Sequence, residues 1–335
     1  MGTSSGRWRF GHRALELGVG AARPIYTTTD GEVQIPAPIV FDRQLLRARR
    51  DRAAAGFGAV DFLIQEVARR LVERVEDVRR RFPLALELGC HTGQLGEALD
   101  GSPAIGRLVQ SDLSPRMVAR ARGLRLVADE EALPFGPDLF DLALSCFSLH
   151  WANDLPGALV QIREALKPDG LLLAALPGGT TLLELRESLL QAEAERTGGA
   201  AVRVSPFLDV RDAGMLLQRA GFAMPVVDVD TITVSYEHPL RLLDELRAMG
   251  EANALAERGH RPLGRVTLLR AAELYTDRFS DARGRVPATF QILMLTAWKP
   301  HESQPQPKRR GSGQVNLARA LGVPVEVLDG RRKPE

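Results

Sequence analysis

The chain has 335 residues, of which 44% are hydrophobic and 26% are charged, proportions that are ordinary for a globular protein with a large core. The formal net charge of +2 is too small to indicate nucleic-acid binding. No apolar run approaches the about 20 residues that a membrane-spanning helix needs. The two cysteines, Cys90 and Cys146, are too few for a disulfide framework and are predicted to be buried thiols.

The first 39 residues are rich in Gly, Ser, Thr and Arg, and Glu16 is the single acid among the first 29. We predict a disordered leader or a wrongly assigned start over 1–39. An Arg-rich, acid-poor composition is typical of a mitochondrial transit peptide, and it also suits translated upstream sequence. Only four of the 44 basic residues are lysines, a bias typical of GC-rich coding sequence. This favours upstream sequence and a bacterial cytoplasmic protein, with the mitochondrial matrix as the alternative if the segment is a transit peptide.

The segment 40–83 is predicted to form a helical N-terminal cap. Apolar residues recur at helical spacing along it: Val60, Leu63, Ile64, Val67, Leu71 and Val75. An arginine cluster falls on the first helix and comprises Arg47, Arg49, Arg50 and Arg52. Such a cluster is usually a solvated face, and the alternative is a contact with an acidic partner or with the carboxylate of a cofactor.

After Pro83 the chain alternates between apolar strands and helices. The predicted strands are 84–88, 107–110, 124–127, 140–145, 170–176, 226–234 and 288–298. This alternation predicts an α/β fold, a doubly wound, mostly parallel seven-stranded Rossmann-like sheet in a domain over 84–300. Helical inserts near 178–221 and 238–280 are predicted to include a lid, and 301–335 a disordered tail.

The segment LALELGCHTG over 84–93 predicts a strand, a glycine turn and the start of a helix. Glu87 precedes Gly89 and Gly93 in the spacing E-x-G-x-x-x-G, and no lysine with Ser or Thr follows, which argues against a phosphate-binding P-loop. His91 stands where nicotinamide sites usually have a middle glycine. S-adenosylmethionine has no pyrophosphate, so the turn favours S-adenosylmethionine as the cofactor.

Acidic residues also follow the second and third predicted strands. Asp112, followed by Leu113, is predicted to accept hydrogen bonds from the ribose hydroxyls of the cofactor. Asp129, followed by Glu130, is predicted to accept one from the adenine amino group. The alternatives are that Asp112 caps the next helix and that Asp129 and Glu130 are turn residues. Acids at the ends of three successive strands favour the cofactor site.

The acceptor side is predicted after the fourth and fifth strands. His150 and Trp151 are predicted to wall the pocket, and His150 is the candidate catalytic base because its ordinary pKa of about 6.5 suits proton transfer. The alternative is a purely structural role for both. Arg186 and Glu184 are candidates for acceptor binding, against a solvated helix face. A carboxylate acceptor would need a cationic clamp, for which the candidates are Arg186, Arg203 and Arg211. We find no metal-ligand spacing.

Several motifs resemble class I S-adenosylmethionine-dependent methyltransferases, namely ELG at 87–89, SD at 111–112, ADEEALPF at 128–135 and SLHW at 148–151. Longer segments resemble, more narrowly, the assembly factor 5 family of mitochondrial respiratory complex I. They include FDRQLLRARRDRAA, GGTTLLELRESL, VSPFLDVRDAGMLLQRAGF and WKPHESQPQP, and the similarity runs from residue 41 to about 313.

This resemblance implies an enzyme that hydroxylates an arginine on an iron–sulfur subunit of complex I. It also implies S-adenosylmethionine contacts at Glu87, Gly89, Gly93, Asp112 and Asp129. Two other functions stay open, a small-molecule or malonyl-thioester carboxyl O-methyltransferase and a non-catalytic assembly module.

Overall fold

A computed structural model describes residues 39–199, 201–258 and 263–305, together with residues 312 and 315. The predicted leader over 1–39 and the predicted tail over 301–335 therefore fall almost entirely outside the described residues. One compact unit extends to His301 and a second begins at Glu302. The fold and the site described below belong to the first unit.

Seven strands and nine helices are described. The strands are β1 (Phe82–Leu88), β2 (Ile105–Asp112), β3 (Leu124–Val127), β4 (Phe140–Cys146), β5 (Leu166–Pro177), β6 (Ala223–Tyr236) and β7 (Val286–Trp298). The helices are α1 (Arg43–Ala53), α2 (Phe62–Asp77), α3 (Gln94–Ala98), α4 (Pro115–Val118), α5 (Leu155–Ala165), α6 (Leu183–Thr197), α7 (Val210–Arg219), α8 (Pro239–Ala248) and α9 (Arg265–Phe279).

All seven strands form one sheet in the order β3-β2-β1-β4-β5-β7-β6. The first five strands are mutually parallel, and β7 runs antiparallel to both of its neighbours. This architecture confirms the predicted mostly parallel, doubly wound α/β sheet and is that of a class I methyltransferase. The strand order reverses between β1 and β4, and in such sheets ligands bind beyond the carboxyl ends of the strands at that point.

Helices cover both faces of the sheet. On one face α2, α6 and α9 pack against the strands in a large apolar cluster, and on the other face α5 and α7 bury Leu159, Ile162 and Leu217. In α2, Leu63, Val67 and Leu71 are almost completely buried at helical spacing. Removing such a side chain from water contributes about 1.5–3 kcal/mol each, so the packing of α2 holds the N-terminal segment on the sheet.

The first strand begins earlier than the sequence indicates. We predict it to start at Leu84, directly after Pro83, yet β1 begins at Phe82 and contains Pro83, although proline cannot donate a ladder hydrogen bond. The pairing with β4 begins at Ala85. Pro83 therefore lies before the first residue that pairs with β4, and it is also absent from the residues of β1 that pair with β2.

The segment 40–83 contains α1, α2 and a 3-10 turn at Phe57–Ala59. Helix α1 begins at Arg43 because the side chain of Asp42 accepts the backbone N–H of Leu45 at 2.9 Å. This helix is strongly polar, and its buried residues are Leu46, Arg50 and Ala53. A charged residue on the buried side of a helix needs charged or polar partners, and those partners lie at the functional site.

Candidate functional site

The predicted cofactor residues lie along the carboxyl edge of the sheet. Glu87 is the penultimate residue of β1, Asp112 is the last residue of β2, and Asp129 follows the end of β3. The three strands are adjacent in the sheet. The structure thus places the acids in one row beside the point where the strand order reverses.

The turn after β1 requires glycine at two positions. Gly89 has φ +69°, and a Cβ at this position would overlap the side chain of Ser148. Gly93 has φ +102°, and a Cβ there would lie 3.1 Å from the Cα of Ala121. Both backbone conformations are strained for other residues. The turn therefore passes close to the loop after β4, and the side chain of Ser148 fills the space beside Gly89.

His91 occupies the position at which nicotinamide sites usually have a middle glycine. Its φ is +49°, and its ring stacks on Phe57, with the ring centroids 5.3 Å apart. Nε2 lies 3.1 Å from the carbonyl oxygen of Cys146, so this nitrogen carries the proton and Nδ1 is the acceptor. Burial lowers the pKa of His91, which keeps the ring neutral. The ring is thus enclosed by the N-terminal cap and the end of β4.

Asp112 is completely buried and holds three N–H donors. Its Oδ1 accepts the backbone N–H of Ser114 at 2.8 Å, and its Oδ2 accepts the backbone N–H of His91 and Nη1 of Arg50, each at 3.2 Å. The idea that Asp112 caps the next helix is wrong, because Ser114 is the N-cap of α4. The neighbouring Leu113 is buried in a small cluster with Trp151.

Asp129 and Glu130 share an arginine partner. Oδ1 of Asp129 accepts Nη2 of Arg43 at 2.6 Å and the backbone N–H of Glu131 at 3.0 Å. Glu130 is buried and accepts both Arg43 and the hydroxyl of Ser148. Burial opposes ionisation of Glu130, but the charges of Arg43 and Arg50 hold its pKa below the usual value. Asp129 also forms the turn that was the alternative to a cofactor contact, since its carbonyl accepts the N–H of Ala132.

Glu87 differs from the other acids because it has no arginine partner among the described residues. Its Oε2 accepts Nε2 of Gln110 at 2.9 Å. Burial, reinforced by the charge of Asp112, raises the pKa of Glu87 to about 8, although the Gln110 hydrogen bond acts in the opposite direction. The carboxyl is therefore mostly protonated at neutral pH.

Two arginines of α1 reach the row of acids. Arg43 contacts Asp129 and Glu130, and Arg50 contacts Asp112. The two are seven residues apart, which places them on one face of the helix. The predicted solvated face is wrong for Arg50, which is completely buried, whereas Arg47 and Arg52 are exposed. The reason is that α1 crosses the carboxyl edge, where the buried acids require counter-ions.

A cavity of about 450 Å³ lies next to this edge. Its walls are mainly apolar residues from α2, α6, α8 and β7, among them Leu63, Ile64, Leu185, Leu189, Leu243, Leu246, Phe290 and Ile292. The cavity is also lined by His150 and Trp151, which we predict to wall the acceptor pocket, and by Glu251. Large apolar pockets with a few polar groups are the usual form of ligand sites.

Glu251 connects the cavity with the row of acids. Its Oε2 accepts Nε1 of Trp151 at 2.7 Å and lies 3.5 Å from Nε2 of His150, while its Oε1 lies 3.9 Å from Nη2 of Arg50. Burial opposes ionisation, but the His150 hydrogen bond and the charge of Arg50 lower the pKa of Glu251 to about 2. Burial also lowers the pKa of His150. The pair is therefore a carboxylate beside a neutral imidazole.

The predicted arginines on the acceptor side separate into two groups. Arg203 lines the cavity and pairs with Glu193 at 2.5 Å. Arg186 and Arg211 are absent from the residues that line it. Arg186 donates to the carbonyl oxygens of Gly179 and Thr181, each at 2.9 Å, and so stabilises the turn before α6. The structure thus does not bring Arg186 together with His150 and Trp151.

Glu184 is likewise not on a solvated face. It is buried, and its carboxylate accepts the backbone N–H of Thr289 at 3.2 Å and the hydroxyl of the same residue. This contact ties the start of α6 to β7, so Glu184 has a structural partner rather than an acceptor to bind.

A methyltransferase-domain family model matches residues 86–174 of the chain. The zebrafish (Danio rerio) protein named arginine-hydroxylase NDUFAF5, mitochondrial, is 45% identical over 286 residues, which are 83% of this chain and 88% of that protein. The rat (Rattus norvegicus) protein of the same name is 40% identical over 97% of this chain and 96% of its own length. The chain belongs to the arginine-hydroxylase NDUFAF5 family.

A second group of relatives is more distant. The malonyl-[acyl-carrier protein] O-methyltransferase of Gallionella capsiferriformans is 32% identical over 83% of this chain and 97% of that protein. The NDUFAF5 family and these O-methyltransferases thus share one fold over most of their length.

The sequence interpretation of this NDUFAF5-family chain missed Glu251 altogether and did not distinguish Arg50 within its cluster. Arg50 is 62 residues from Asp112 in sequence, and Glu251 is 100 residues from Trp151. Arg43 and Arg50 at a seven-residue spacing, directly after the Asp42 cap, are the one local signal for the arginines. We find no local signal for Glu251.

Within the described ranges, no helix is long and apolar enough to cross a membrane. The same ranges contain no group of three or more His, Cys, Asp and Glu residues arranged to hold a metal ion. Cys90 and Cys146 are buried free thiols.

Proposed function

We propose that this chain binds S-adenosylmethionine at the carboxyl edge of the sheet and modifies an arginine side chain of a protein partner in the adjoining cavity. The observation that carries the proposal is the position of Glu251. It is a buried carboxylate that lines the cavity, holds His150 and Trp151, and lies beside Arg50, the partner of Asp112. Glu251 therefore lies where the proposed cofactor edge and the proposed acceptor cavity meet.

The residues of the edge fit the proposed cofactor. Gly89 allows the turn after β1 to pack closely against Ser148, where any side chain would overlap, and Asp129 is a partly exposed acceptor for an amino group. Asp112 already accepts three N–H groups, which leaves one of the about four acceptor positions of a carboxylate for a hydroxyl. When bound, S-adenosylmethionine would supply an activated methyl group, which is the chemistry of the O-methyltransferase candidate below, whereas hydroxylation would leave this methyl group untransferred.

The cavity suits an arginine better than a carboxylate acceptor. An arginine side chain has a long apolar stem that can lie along leucine walls and a cationic end, and Glu251 places a negative charge at the His150 side. The three arginines of the cavity are already paired, Arg203 with Glu193, Arg247 with Asp244 and Arg258 with Asp42. A carboxylate acceptor would have to compete for them.

His150 lines the cavity as a neutral imidazole whose orientation is set by Glu251. Its Nε2 faces the carboxylate of Glu251, which favours the tautomer protonated at Nε2. Nδ1 is then the basic nitrogen, and among the described residues it has no hydrogen-bond partner. Glu251 thus acts as a positioning residue that fixes the ring, while the apolar walls exclude water from the acceptor.

The relatives named arginine-hydroxylase support hydroxylation as the modification, and the sequence resemblance supports an iron–sulfur subunit of complex I as the partner. Hydroxylation replaces a C–H bond by C–OH. With dioxygen as the oxidant, it consumes two electrons and two protons from a reductant and releases the second oxygen atom as water. The mitochondrial relatives also support a role for this chain in the assembly of a respiratory complex. The reaction would take place in the mitochondrial matrix or in the cytoplasm of a bacterium.

The test is the intact mass of the partner after reaction. The purified chain is incubated with S-adenosylmethionine, dioxygen and a chemical reductant, and with either the iron–sulfur subunit or malonyl-acyl carrier protein. A gain of one oxygen atom on the iron–sulfur subunit, absent when the chain is left out, supports the proposal. No mass change on a subunit that stays bound indicates a non-catalytic assembly module and contradicts it.

The second candidate is the O-methyltransferase activity of the more distant relatives. The three arginines that line the cavity are the observation in its favour, because a malonyl carboxylate would need cationic partners. A gain of one methyl group on the malonyl carrier protein, with none on the iron–sulfur subunit, would replace the first proposal with this one.

A further inference from the structure

The segment over 101–128, which contains β2, α4 and β3, has a strongly basic surface. Its five arginines are all exposed, whereas its one acid, Asp112, is completely buried. The arginines are Arg107, Arg116, Arg120, Arg122 and Arg125. Asp112 already accepts three N–H groups inside the protein. The segment therefore has no carboxylate of its own that could neutralise the surface arginines.

Most of these arginines have no acidic partner from another segment either. Among the residues that the structure describes, Arg107, Arg116 and Arg120 form no ion pair. Arg122 pairs with Glu97 at 3.6 Å, but the two side chains are 82% and 55% exposed, and such a surface pair contributes little. The arginines of α2, by contrast, each pair with acids of the same helix or of β6. The β3 end of the sheet is thus positively charged without local compensation.

The same end of the sheet has an open strand edge. β3 is the first strand in the order β3-β2-β1-β4-β5-β7-β6, and among the described strands it pairs only with β2. Beyond that pairing, the backbone of Leu124–Val127 forms no hydrogen bond in the described ranges. An unpaired strand edge presents N–H and C=O groups that can bind an extended segment of another chain.

The arginines flank this edge. Arg125 belongs to β3, and its Nη1 donates to the carbonyl oxygen of Ala121, so its side chain lies on the α4 side of the sheet. Arg120 and Arg122 are the direct neighbours of Ala121 in the chain. Val127, two residues after Arg125, lies on the same side and is 48% exposed. Cations and an apolar side chain thus lie beside the free backbone of one short strand.

These features fit an extended acidic segment. In an extended chain, alternate side chains point to the same side, so acids at every second position can face the arginines while the backbone pairs with β3. The guanidinium fork of each arginine matches a carboxylate. Protection of an edge strand from aggregation needs a charge on the strand itself, which explains Arg125 but neither Arg116 nor Arg120.

Other classes of partner fit this surface less well. The segment over 101–128 contains no Phe, Tyr or Trp, whereas proteins that bind single-stranded nucleic acid use aromatic side chains as stacking platforms. Binding to a membrane surface typically uses a long amphipathic helix, and α4 has four residues.

The chain outside the described residues does not supply an acidic segment. The sequence over 306–335 has seven basic residues and three acids, and the sequence over 1–38 has four basic residues and three acids. Both would be repelled by the arginines beside β3. The acidic segment therefore comes from another protein.

We propose that the free edge of β3, together with Arg116, Arg120, Arg122 and Arg125, is a docking surface for an acidic, extended segment of a partner protein, which adds a strand to the sheet. This inference uses neither the cofactor residues nor the acceptor cavity, so it can fail while the proposed function stands. Docking at this edge would hold a partner through a contact that is separate from the cavity.

The first test measures the binding of labelled peptides to the full chain by fluorescence anisotropy. One peptide alternates glutamate and threonine, and its control has lysine in place of every glutamate. We expect the glutamate peptide alone to bind, and its binding to weaken at least about 5-fold when the ionic strength rises from about 0.05 M to about 0.3 M. The double variant Arg120→Gln, Arg125→Gln should weaken binding about 5- to 20-fold. The control Arg219→Gln, at an exposed position of α7, should change it less than about 2-fold.

The second test is amide hydrogen exchange with and without the glutamate peptide. Strand addition should slow the exchange of the amides in β3 at least about 5-fold and leave those of β6, at the other end of the sheet, unchanged. This measurement uses the wild type, so it decides the proposal even if the double variant fails to fold. Peptide binding without slower exchange in β3 would show a purely electrostatic contact and overturn strand addition.

Other occupants of the surface give different results. A mixed-sequence RNA oligonucleotide and vesicles of phosphatidylserine and phosphatidylcholine are titrated in the same way, and tighter binding of either, lost in the double variant, would overturn the proposal. Self-association in sedimentation experiments that the double variant abolishes would also overturn it, because a second copy would then occupy the edge. Equal binding of the two peptides, or binding of neither, would contradict it as well.

Discussion

The cofactor edge and the acceptor cavity adjoin each other but are built in different ways. The edge consists of strand ends and a glycine turn, and its buried acids are held by hydrogen bonds and by two arginines. The cavity consists of apolar side chains from helices that are distant in sequence. The edge therefore tolerates few changes of geometry. In the cavity, by contrast, the substitution of a single wall residue can change which acceptor fits. This difference explains how one fold can serve relatives with different acceptors.

The largest expected effect comes from the glycine turn of the edge. Gly89→Ala should lower the free energy of unfolding by at least about 3 kcal/mol, because the new Cβ overlaps Ser148 in addition to the strained φ. Gly101→Ala is the control, since Gly101 has a similar φ of +78° with nothing within 4 Å, and it should lose about 1 kcal/mol. Both values come from urea unfolding. Equal losses would show that the edge is not tightly packed.

The next effect is a pH dependence of stability caused by Glu87. Its pKa is about 8 in the folded chain against 4.5 ordinarily, so the stability that the protonated carboxyl contributes is full below pH 4.5 and is lost as the pH rises towards 8. Glu87→Gln keeps an acceptor for Gln110 but does not titrate. Its unfolding free energy relative to the wild type should rise by about 1 kcal/mol per pH unit in this window.

A surface carboxyl serves as the control for that measurement. Glu97 lies at an exposed position on α3. The unfolding free energy of Glu97→Gln relative to the wild type should stay constant from pH 5 to pH 8 within about 0.3 kcal/mol. If Glu87→Gln behaves in the same way, the Glu87 carboxyl is ionised in the folded protein and the electrostatic description of the edge is wrong.

A substitution in the cavity wall should act on the acceptor alone. Leu189 lines the cavity, whereas its neighbour Leu190 on the same helix is exposed and does not. Leu189→Trp should fill the cavity and reduce modification of the partner at least about 10-fold, with the S-adenosylhomocysteine dissociation constant within about 2-fold of the wild type. Leu190→Trp should change neither. A matching loss of cofactor binding in Leu189→Trp would show that edge and cavity are not separate sites.

The smallest expected effect concerns Arg186. Its guanidinium holds two carbonyl oxygens of the turn before α6, so Arg186→Gln should lower the unfolding free energy by about 1 kcal/mol and change the KM for the partner less than about 2-fold. Thermal unfolding and steady-state kinetics on the same preparation give both values. A large rise in the KM for the partner without a change in stability would contradict this structural role and show that Arg186 binds the acceptor.

Local sequence patterns predicted the sheet and the acids, because each strand end carries its own signal. Glu87, Asp112 and Asp129 directly follow or end apolar runs, so their common edge follows from parallel topology alone. Strand limits were less predictable, as Pro83 shows, because pairing with a neighbouring strand decides where proline is tolerated. The rotation of α1 against the sheet decides which of its arginines is buried. The cluster of four arginines on this helix carries no local signal for that rotation. Glu251 reaches the site only through the packing of the segment after α8.

The most direct test of the account is the position of the modification on the partner, found by fragmentation mass spectrometry of the iron–sulfur subunit after reaction with the wild-type chain. The account predicts one added oxygen atom on a single arginine, lost in Leu189→Trp and absent when that arginine of the subunit is replaced by lysine. Oxygen on other residue types, or a methyl group on a carboxylate, would contradict it.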